Sequence, residues 1–336
     1  MTILSPMATG NGAYVIHKIL SERIRNYRLY GYNPYWTLLP PALSFFCRKH
    51  AALDLIHTTP DYAWFFKKAK TPLVITFHNY VLDSFMGPYS SFAQRVHYKT
   101  DLKFFIHKAL AKADKITSVS RFTAELVKRD MGFKGEIQVI YNGIDCDLFC
   151  PQKQKPGKNV KVLFSGNLTR RKGADLLPLI ARQLDANIDI LYTSGLRTKN
   201  WMPTAPDLYS IGPIPYCDMP DIYRQADILL FPTVREGFGL AAAEAMACGL
   251  PVVATDCSSL PELVVHGKGG YLCEPGNVDE FAAKLNELAA SSGLRKQMGE
   301  FNRARVEEKF TIDRMVSEYK QLFEEILASR SGSVST

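Results

Sequence analysis

Short apolar runs alternate with longer amphipathic stretches along the whole chain. In the first half the runs that read as strands are Thr2–Leu4, Asp54–His57, Leu73–Phe77, Lys115–Val119 and Gln138–Tyr141. In the second half they are Val160–Ser165, Ile188–Tyr192, Leu208–Ile211, Ile228–Phe231, Pro251–Thr255 and Gly270–Cys273. Helical patterns fill most of the intervals. Strand–helix alternation at this spacing predicts parallel sheets covered on both faces. A final helix is expected over Thr311–Leu327, with one apolar face through Ile312, Met315, Tyr319, Leu322 and Phe323. Arg23, Arg25 and Arg28, with Tyr27 and Tyr30, are expected on another helix.

The segment Pro151–Asn159 is polar, with two prolines, a glycine and three lysines, and reads as a linker. The expected domains are therefore 1–155 and 156–310, with a helix over 311–328 that could cross back to the first domain. Two parallel-sheet domains in tandem imply a cleft. Ligands of such sheets sit beyond the C-terminal ends of the strands.

Composition narrows the class. With 336 residues, 46% hydrophobic and 22% charged, the chain is neither a disordered tail, a fibre nor a membrane-spanning bundle. The apolar stretch Leu38–Cys47 holds two prolines and falls short of the ~20 residues of a spanning helix. MTILSPMATGNG lacks a basic region followed by a long apolar run, so no secretory signal is expected. Seven cysteines without a C-x-x-C read as reduced thiols. The net charge is +8, and all of it lies in the first half: residues 1–150 hold 19 Lys and Arg against 11 Asp and Glu, while the rest hold 22 of each. The first half therefore suits an anionic partner such as a membrane surface, a nucleic acid or a phosphorylated substrate.

The sharpest chemical signal is REGFGLAAAEAMACGLPVVATD, from Arg235. A strand ends, a glycine turn follows, and a helix starts near Gly239 and stops at Gly249. Gly237 and Gly239 allow a ligand close to the backbone, and the N–H groups of the first turn suit a phosphate. Glu236 in the turn and Glu244 in the helix would repel a phosphate, so neutral hydroxyls such as those of a sugar are their expected partners. In FSGNLTRRKGADLL, from Phe164, Arg170, Arg171 and Lys172 cluster at a second helix entrance. Cations oppose a helix dipole there, so an anion is expected, and a diphosphate would serve. Charge-assisted hydrogen bonds of ~1.5–3 kcal/mol outweigh that penalty.

These segments resemble the nucleotide-sugar domain of family 4 glycosyltransferases. The E-x7-E pair Glu236 and Glu244 is that family's motif. ADILLFPTVREGFG, GLPVVATD, PELVVHGKGGYLCEPGN and Lys172-Gly173 follow its order and spacing. SVSRFTAELV and VIYNGIDCDLF resemble its segments before the interdomain linker. The resemblance is strong from Ala226 to Asn277 and looser before residue 110. It implies a GT-B fold, an α/β arrangement of two Rossmann-like domains facing each other across a cleft. It further implies that Glu236 binds donor-sugar hydroxyls, and that the N–H groups of Phe238, Gly239 and Leu240 cradle sugar and phosphate. Glu244 would bind the ribose, Lys172 the diphosphate, and the backbone of Ile211 and Gly212 the base. Gly12 matches a glycine that admits the donor phosphate, and His78 a histidine facing sugar and phosphate. Family members often carry Arg after the glycine at position 166; here Gly166 precedes Asn167, and the cation is expected from Arg170 or Arg171.

The implied reaction is retaining transfer of a hexose-type sugar from a UDP- or GDP-linked donor to an acceptor hydroxyl, with no metal and no cofactor. The departing phosphate oxygen would take the acceptor's proton, and His78, Glu236 and Lys172 would carry the chemistry. A glycan or lipid-linked acceptor would meet the first domain. The basic, aromatic-rich run Arg95–Lys115 suits an anionic membrane surface, and so a cytoplasmic protein peripheral to the inner face of a membrane. The alternatives are a nucleotide-sugar epimerase or hydrolase of the same fold and a non-catalytic nucleotide-sugar-binding protein. No recognition motif favours a nucleic acid. Asp145-Cys146-Asp147 is a literal D-x-D but reads as a structural turn. The seven histidines show no metal-ligand spacing, and apart from His78 they read as ordinary.

Overall fold

The computed structural model describes residues 1–48, 53–152, 157–195 and 202–332. His50, the middle of the polar segment with its expected boundary at 155, and the end of the tail lie outside these. The chain forms two compact units, one of Met1–Gly143 with Ile312–Thr336, the other of Ile144–Thr311.

The first unit is built on a parallel sheet of β1 (Ile3–Ala8), β2 (Tyr27–Tyr32), β3 (Leu55–Thr58), β4 (Leu73–Phe77), β5 (Lys115–Ser118) and β6 (Gln138–Val139), in the order β2-β1-β3-β4-β5-β6. β4 is buried along its whole length, as its apolar run Leu73–Ile75 implies. β2 corrects the expectation of a helix through Arg25 and Arg28. The helix Gly12–Arg23 ends at Arg23, Asn26 turns with φ of 64°, and the chain pairs with β1 over six residues. As an edge strand, β2 buries Tyr27 and Tyr32 and exposes Arg28, so it carries no apolar run. β1 also extends past the expected Leu4, through Pro6 to Ala8. Its ladder to β3 pairs only Ile3 and Leu4, so Pro6, which has no N–H, lies beyond that ladder.

The second unit holds β7 (Val160–Phe164), β8 (Ile188–Thr193), β9 (Leu208–Gly212), β10 (Ile228–Phe231), β11 (Val252–Thr255) and β12 (Gly270–Cys273), all parallel, in the order β12-β11-β10-β7-β8-β9. Counted within the unit this is 6-5-4-1-2-3, the doubly wound order of Rossmann folds. The order reverses between β7 and β10, and the crevice beyond the carboxyl ends of such a strand pair is where these sheets take ligands.

The second unit begins at Ile144, before the polar segment. Phe149 is fully buried against Tyr223, with ring centroids 6.0 Å apart. Arg303 Nη1 donates to the carbonyls of Phe149 at 2.7 Å and Cys146 at 3.1 Å, and Arg224 Nη2 to that of Leu148 at 2.6 Å. The expected boundary at 155 therefore lies beyond the start of the second unit at Ile144. Asp145 Oδ1 accepts the N–H groups of Asp147 and Leu148 at 3.1 and 3.0 Å, so the D-x-D closes a turn. The last helix, Ile312–Gly332, belongs to the first unit. Its Tyr319 and Phe323 are buried there against His57, and Phe323 also meets Tyr27. The seven cysteines are all free thiols.

Candidate functional site

The two motifs singled out in the second half leave β7 and β10, the strands between which the order reverses. After β7 the chain passes Gly166, with φ of 153°, and forms a tight turn over Arg170–Lys172. Gly173 closes the turn with φ of 75°, and a Cβ there would run into the carbonyl oxygen of Pro232 at the exit of β10. Both conformation and space therefore require glycine, and the close approach seats Lys172 beside the second loop. Its ammonium lies 5.3 Å from the centre of the Phe231 ring.

Lys172 Nζ donates to Glu236 Oε1. Thr233 Oγ1 lies 2.9 Å from the same oxygen, and Arg171 Nη1 lies 3.8 Å from it. All three contacts converge on Oε1. The side chains of Lys172 and Glu236 are only 14% and 13% exposed, so this is a largely desolvated ion pair. Burial works against the Glu236 charge, but Lys172, Arg171 and the Thr233 hydroxyl outweigh it and hold the carboxyl below its ordinary range. The anion that the basic turn lacks in sequence is thus present in the protein.

The arginines divide. Arg171 is 33% exposed, and its Nη1 also donates to the Arg235 carbonyl at 2.7 Å. Arg170 is 79% exposed and lies 3.7 Å from Asp175. Asn167 is turned toward Gly195, where an added Cβ would collide with its amide.

The Glu236 loop is braced from the exit of β11. Glu236 N donates to Ser258 Oγ at 3.1 Å, and Ser259 Oγ donates to the Phe238 carbonyl at 3.0 Å. Ser258 adopts φ of 53°, a left-handed conformation unusual outside glycine. Gly239 caps the helix Leu240–Ala247 with φ of 99°, and no side chain fills that cap. Phe238 is buried against Phe310. Glu244, one turn into the helix, is 7% exposed. Tyr223 OH donates to its Oε2 at 3.0 Å and lies 3.2 Å from Ser165 Oγ at the exit of β7. Burial pushes the Glu244 carboxyl up to about 7 against the hydrogen bonds of Tyr223 and Tyr216. Ile211 and Gly212 end β9, where the Gly212 carbonyl accepts the N–H of Ser194 at 2.9 Å.

In the first unit, Gly12 opens the helix that follows β1, and a Cβ there would meet open space. Asn11 caps this helix by accepting the N–H of Tyr14 at 2.8 Å. His78 directly follows β4 and is in contact with His17, its Nε2 lying 3.1 Å from His17 Nε2. His17 and His57 are fully buried and, with His78, form one cluster. No sequence spacing announces the cluster, because it forms only where the helix after β1, β3 and β4 meet. Among the described residues, no three His, Cys, Asp or Glu side chains are arranged to hold a metal ion. None of the described helices is long and apolar enough to cross a membrane.

Sequence reasoning placed Lys172 and Glu236 in the site but not on each other. It missed Thr233, Ser258, Ser259 and Tyr223. The only sequence signal for the two serines was their place at a strand end, after VVATD.

Comparison with known proteins agrees with the fold. A family model described as "Glycosyltransferase Family 4" matches residues 1–148, and one described as "Glycosyl transferases group 1" matches residues 205–305. An uncharacterized glycosyltransferase of Methanocaldococcus jannaschii is 29% identical over 67% of this chain and 63% of its own length. The N-acetyl-alpha-D-glucosaminyl L-malate synthase of Bacillus anthracis is 28% identical over 67% of this chain and 63% of its own length. The chain thus spans less than two thirds of the length of these relatives. Among solved structures, the sucrose-phosphate synthase of Thermosynechococcus elongatus superposes with a TM-score of 0.84 at 19% identity, covering 98% of this chain and 100% of that one. Anabaena HepE in complex with UDP-glucose gives a TM-score of 0.78 at 20% identity, again over 98% and 100%. By the two matched models, one in each half, the chain is similar to family 4 and group 1 glycosyltransferases, and its two parallel six-stranded sheets have the GT-B architecture.

Proposed function

We propose that the protein transfers a hexose-type sugar from a nucleoside diphosphate sugar to an acceptor hydroxyl, with retention of configuration at the sugar. The observation that carries this reading is the Lys172–Glu236 pair at the strand-order reversal of the second unit. An ammonium has three N–H donors. Lys172 spends one on Glu236 and keeps others for the oxygens of a diphosphate. The contacts of Glu236 with Lys172, Thr233 and Arg171 fall on Oε1, which leaves Oε2 for a sugar hydroxyl. The N–H groups of the helix at Leu240 supply further positive potential, and Glu244 takes the ribose.

In this mechanism the bond from the anomeric carbon to the phosphate oxygen breaks, and the bond to the acceptor oxygen forms on the same face. The departing phosphate oxygen receives the acceptor's proton. Lys172, Arg171 and the helix N-terminus stabilise the leaving charge, and no protein carboxylate acts as base. The name of the Bacillus anthracis relative, which joins an N-acetylglucosaminyl group to malate, supports sugar transfer, and the UDP-glucose of the Anabaena neighbour supports a UDP-linked donor.

The acceptor meets the first unit, where exposed Phe92, Val96 and Phe104 are interspersed with exposed Arg95, Lys99, Lys103 and Lys108. This basic, apolar surface suits a lipid-linked or anionic acceptor at a membrane face.

The test is transfer from UDP- and GDP-sugars in EDTA, with donor hydrolysis followed in parallel. Transfer that persists in EDTA and disappears in Glu236→Ala supports the reading. Full dependence on added Mg²⁺ or Mn²⁺, or donor turnover indifferent to any acceptor, overturns it. Flotation with anionic vesicles tests the membrane face, and absence of binding at low salt removes it.

A further inference from the structure

Residues 33–47 carry no charged side chain, although 22% of the chain is charged. They form two tight turns, Pro34–Leu38 and Pro40–Leu43, and enter the short helix Ser44–Arg48. Much of their apolar surface lies in solvent. Leu38 is 80% exposed and Tyr35 79%, and Trp36, Leu39 and Phe45 are exposed as well. A single exposed apolar residue is ordinary, whereas a group of them marks a surface that something covers.

The loop satisfies its own polar groups. Asn33 Oδ1 accepts the N–H of Tyr35 at 3.0 Å, and the Asn33 carbonyl accepts that of Trp36 at 3.0 Å. Leu39 N donates to the Trp36 carbonyl at 3.2 Å, and Ala42 N to the Leu39 carbonyl at 3.0 Å. The hydroxyls of Thr37 and Ser44 donate to the carbonyls of Pro34 and Pro41 at 2.7 and 2.9 Å. Pro34, Pro40 and Pro41 have no N–H to satisfy, and their rings stiffen the chain. Such a backbone leaves water at little cost, and a stiff loop loses little entropy on binding.

The loop also adjoins lysines. Trp36 packs edge-on against Phe46 with ring centroids 5.5 Å apart, Phe46 stacks on Tyr32 at 5.6 Å, and Tyr32 meets Phe66 at 6.0 Å. Phe66 ends the helix Ala63–Phe66, whose Trp64 lies 6.3 Å from Phe104. The Lys108 ammonium sits 5.3 Å from the centre of the Phe104 ring, and Lys103 is exposed on the same helix, Lys103–Lys112. The first unit thus carries an uncharged apolar tip connected through packed rings to a basic flank.

We propose that the loop 34–45 is an interfacial anchor that seats Tyr35, Leu38, Leu39 and Phe45 among the headgroups and upper acyl chains of an anionic bilayer. Trp36 then lies at headgroup level, where indole rings concentrate, and the lysines meet lipid phosphates. A bilayer of this kind meets the needs of both the apolar tip and the basic flank. A second copy of the chain, pairing the patch with itself, offers the lysines no carboxylate from residues 33–47. The proposal rests on the membrane-face part of the proposed function, to which it adds the apolar anchor; it is independent of the donor site.

The experiment is flotation of the full chain with phosphatidylcholine vesicles, with and without phosphatidylglycerol, at low and high salt, for wild type and Leu38→Ser/Leu39→Ser. Trp64→Phe/Trp201→Phe leaves Trp36 as the sole tryptophan, and its quenching by lipids brominated on the acyl chain reports insertion without altering the loop. Wild type is expected to bind the phosphatidylglycerol vesicles, and high salt to weaken this binding without abolishing it, because apolar contact is not screened. Leu38→Ser/Leu39→Ser should lower the partition coefficient at least about tenfold and make the remaining binding fully salt-sensitive. Its melting temperature should match wild type, since both side chains lie in solvent. Trp36 should be quenched and its emission should shift to the blue. Wild-type binding abolished by salt, equal binding of wild type and the serine variant, or Trp36 unquenched on bound vesicles overturns the anchor and leaves the basic face standing. Absence of wild-type binding to either vesicle overturns both. A wild-type dimer in sedimentation that the serine variant dissociates, without vesicle binding, overturns the anchor in favour of a second copy.

Discussion

Lys172 and Glu236 are 64 residues apart in the chain and form an ion pair between the loops that leave β7 and β10. Because both side chains are largely withdrawn from water, the pair is a structural element as well as a candidate donor site. Removing one partner of a desolvated pair leaves a charge with less compensation, at a cost of up to about 3–5 kcal/mol. Arg171 remains near Glu236 Oε1 in Lys172→Met. The expected loss is therefore smaller, about 2 kcal/mol, and Lys172→Met/Glu236→Gln should recover part of it. Urea denaturation of the two single variants and the double variant measures the coupling. The double variant should also lose the thermal shift produced by UDP, which separates stability from binding. Additive stability losses would show that the pair contributes nothing to the fold.

Gly173 is what brings the two loops together, and Gly212 provides the control. Their φ angles are 75° and 74°, so alanine is strained equally at both, by about 1–2 kcal/mol. Only at Gly173 would a Cβ collide with backbone, the Pro232 carbonyl; at Gly212 it meets open space. Gly173→Ala should therefore lower the melting temperature clearly more than Gly212→Ala and weaken UDP binding, because the Lys172 turn must move away from β10. Equal falls in melting temperature would mean that the close approach is not what seats the turn.

What the sequence revealed and what it hid follow from one distinction. The strands β4, β10 and β11 are short buried apolar runs, and periodicity alone finds them. β2 is an edge strand with Tyr27 and Tyr32 inward and Arg28 outward, and that mixed pattern reads equally well as a helix. Glu236 and Lys172 were visible as motif residues, but their pairing depends on strand order, which spacing does not encode. The same holds for His17, His57 and His78. Each looks like an isolated histidine until β3 and β4 lie side by side and the helix after β1 covers them.

The two units should respond to pH with opposite signs. In the first, the three histidines have depressed folded values. The unfolded chain binds protons below about pH 6.5 that the folded chain refuses, so stability is lost as pH falls through that value. In the second, Glu244 is raised from 4.5 to about 7. Between those values the folded state holds a proton that the unfolded state has released, so its contribution falls as pH rises and levels off above about 7. Glu244→Gln removes this liability. It should stabilise the protein at pH 8 by up to about 3 kcal/mol and make little difference near pH 4. Chemical denaturation of wild type and variant across pH 4–8 checks both signs. A Glu244→Gln variant no more stable at pH 8 than wild type would show that the carboxyl is not held in its neutral form.

Position 167 carries Asn where the resemblance to family 4 leads one to expect Arg, and we propose Arg171 as the replacement cation. Arg171 reaches both the Glu236 carboxylate and the Arg235 carbonyl, so its guanidinium is fixed against the loop that would meet the donor. Arg170 is largely in solvent beside Asp175, where a single exposed ion pair is worth at most about 1 kcal/mol. Arg170→Ala should therefore leave the dissociation constant for UDP within about twofold, whereas Arg171→Ala should raise it about tenfold or more, the loss of one charge-assisted hydrogen bond. Salt separates this from a general field effect. Long-range attraction is screened beyond about 8 Å at physiological ionic strength, so the Arg171 deficit should persist at high salt if it reflects direct contact. Calorimetric titration of UDP at low and high salt makes the comparison. An Arg170 deficit as large as that of Arg171 would place the replacement cation at residue 170 instead.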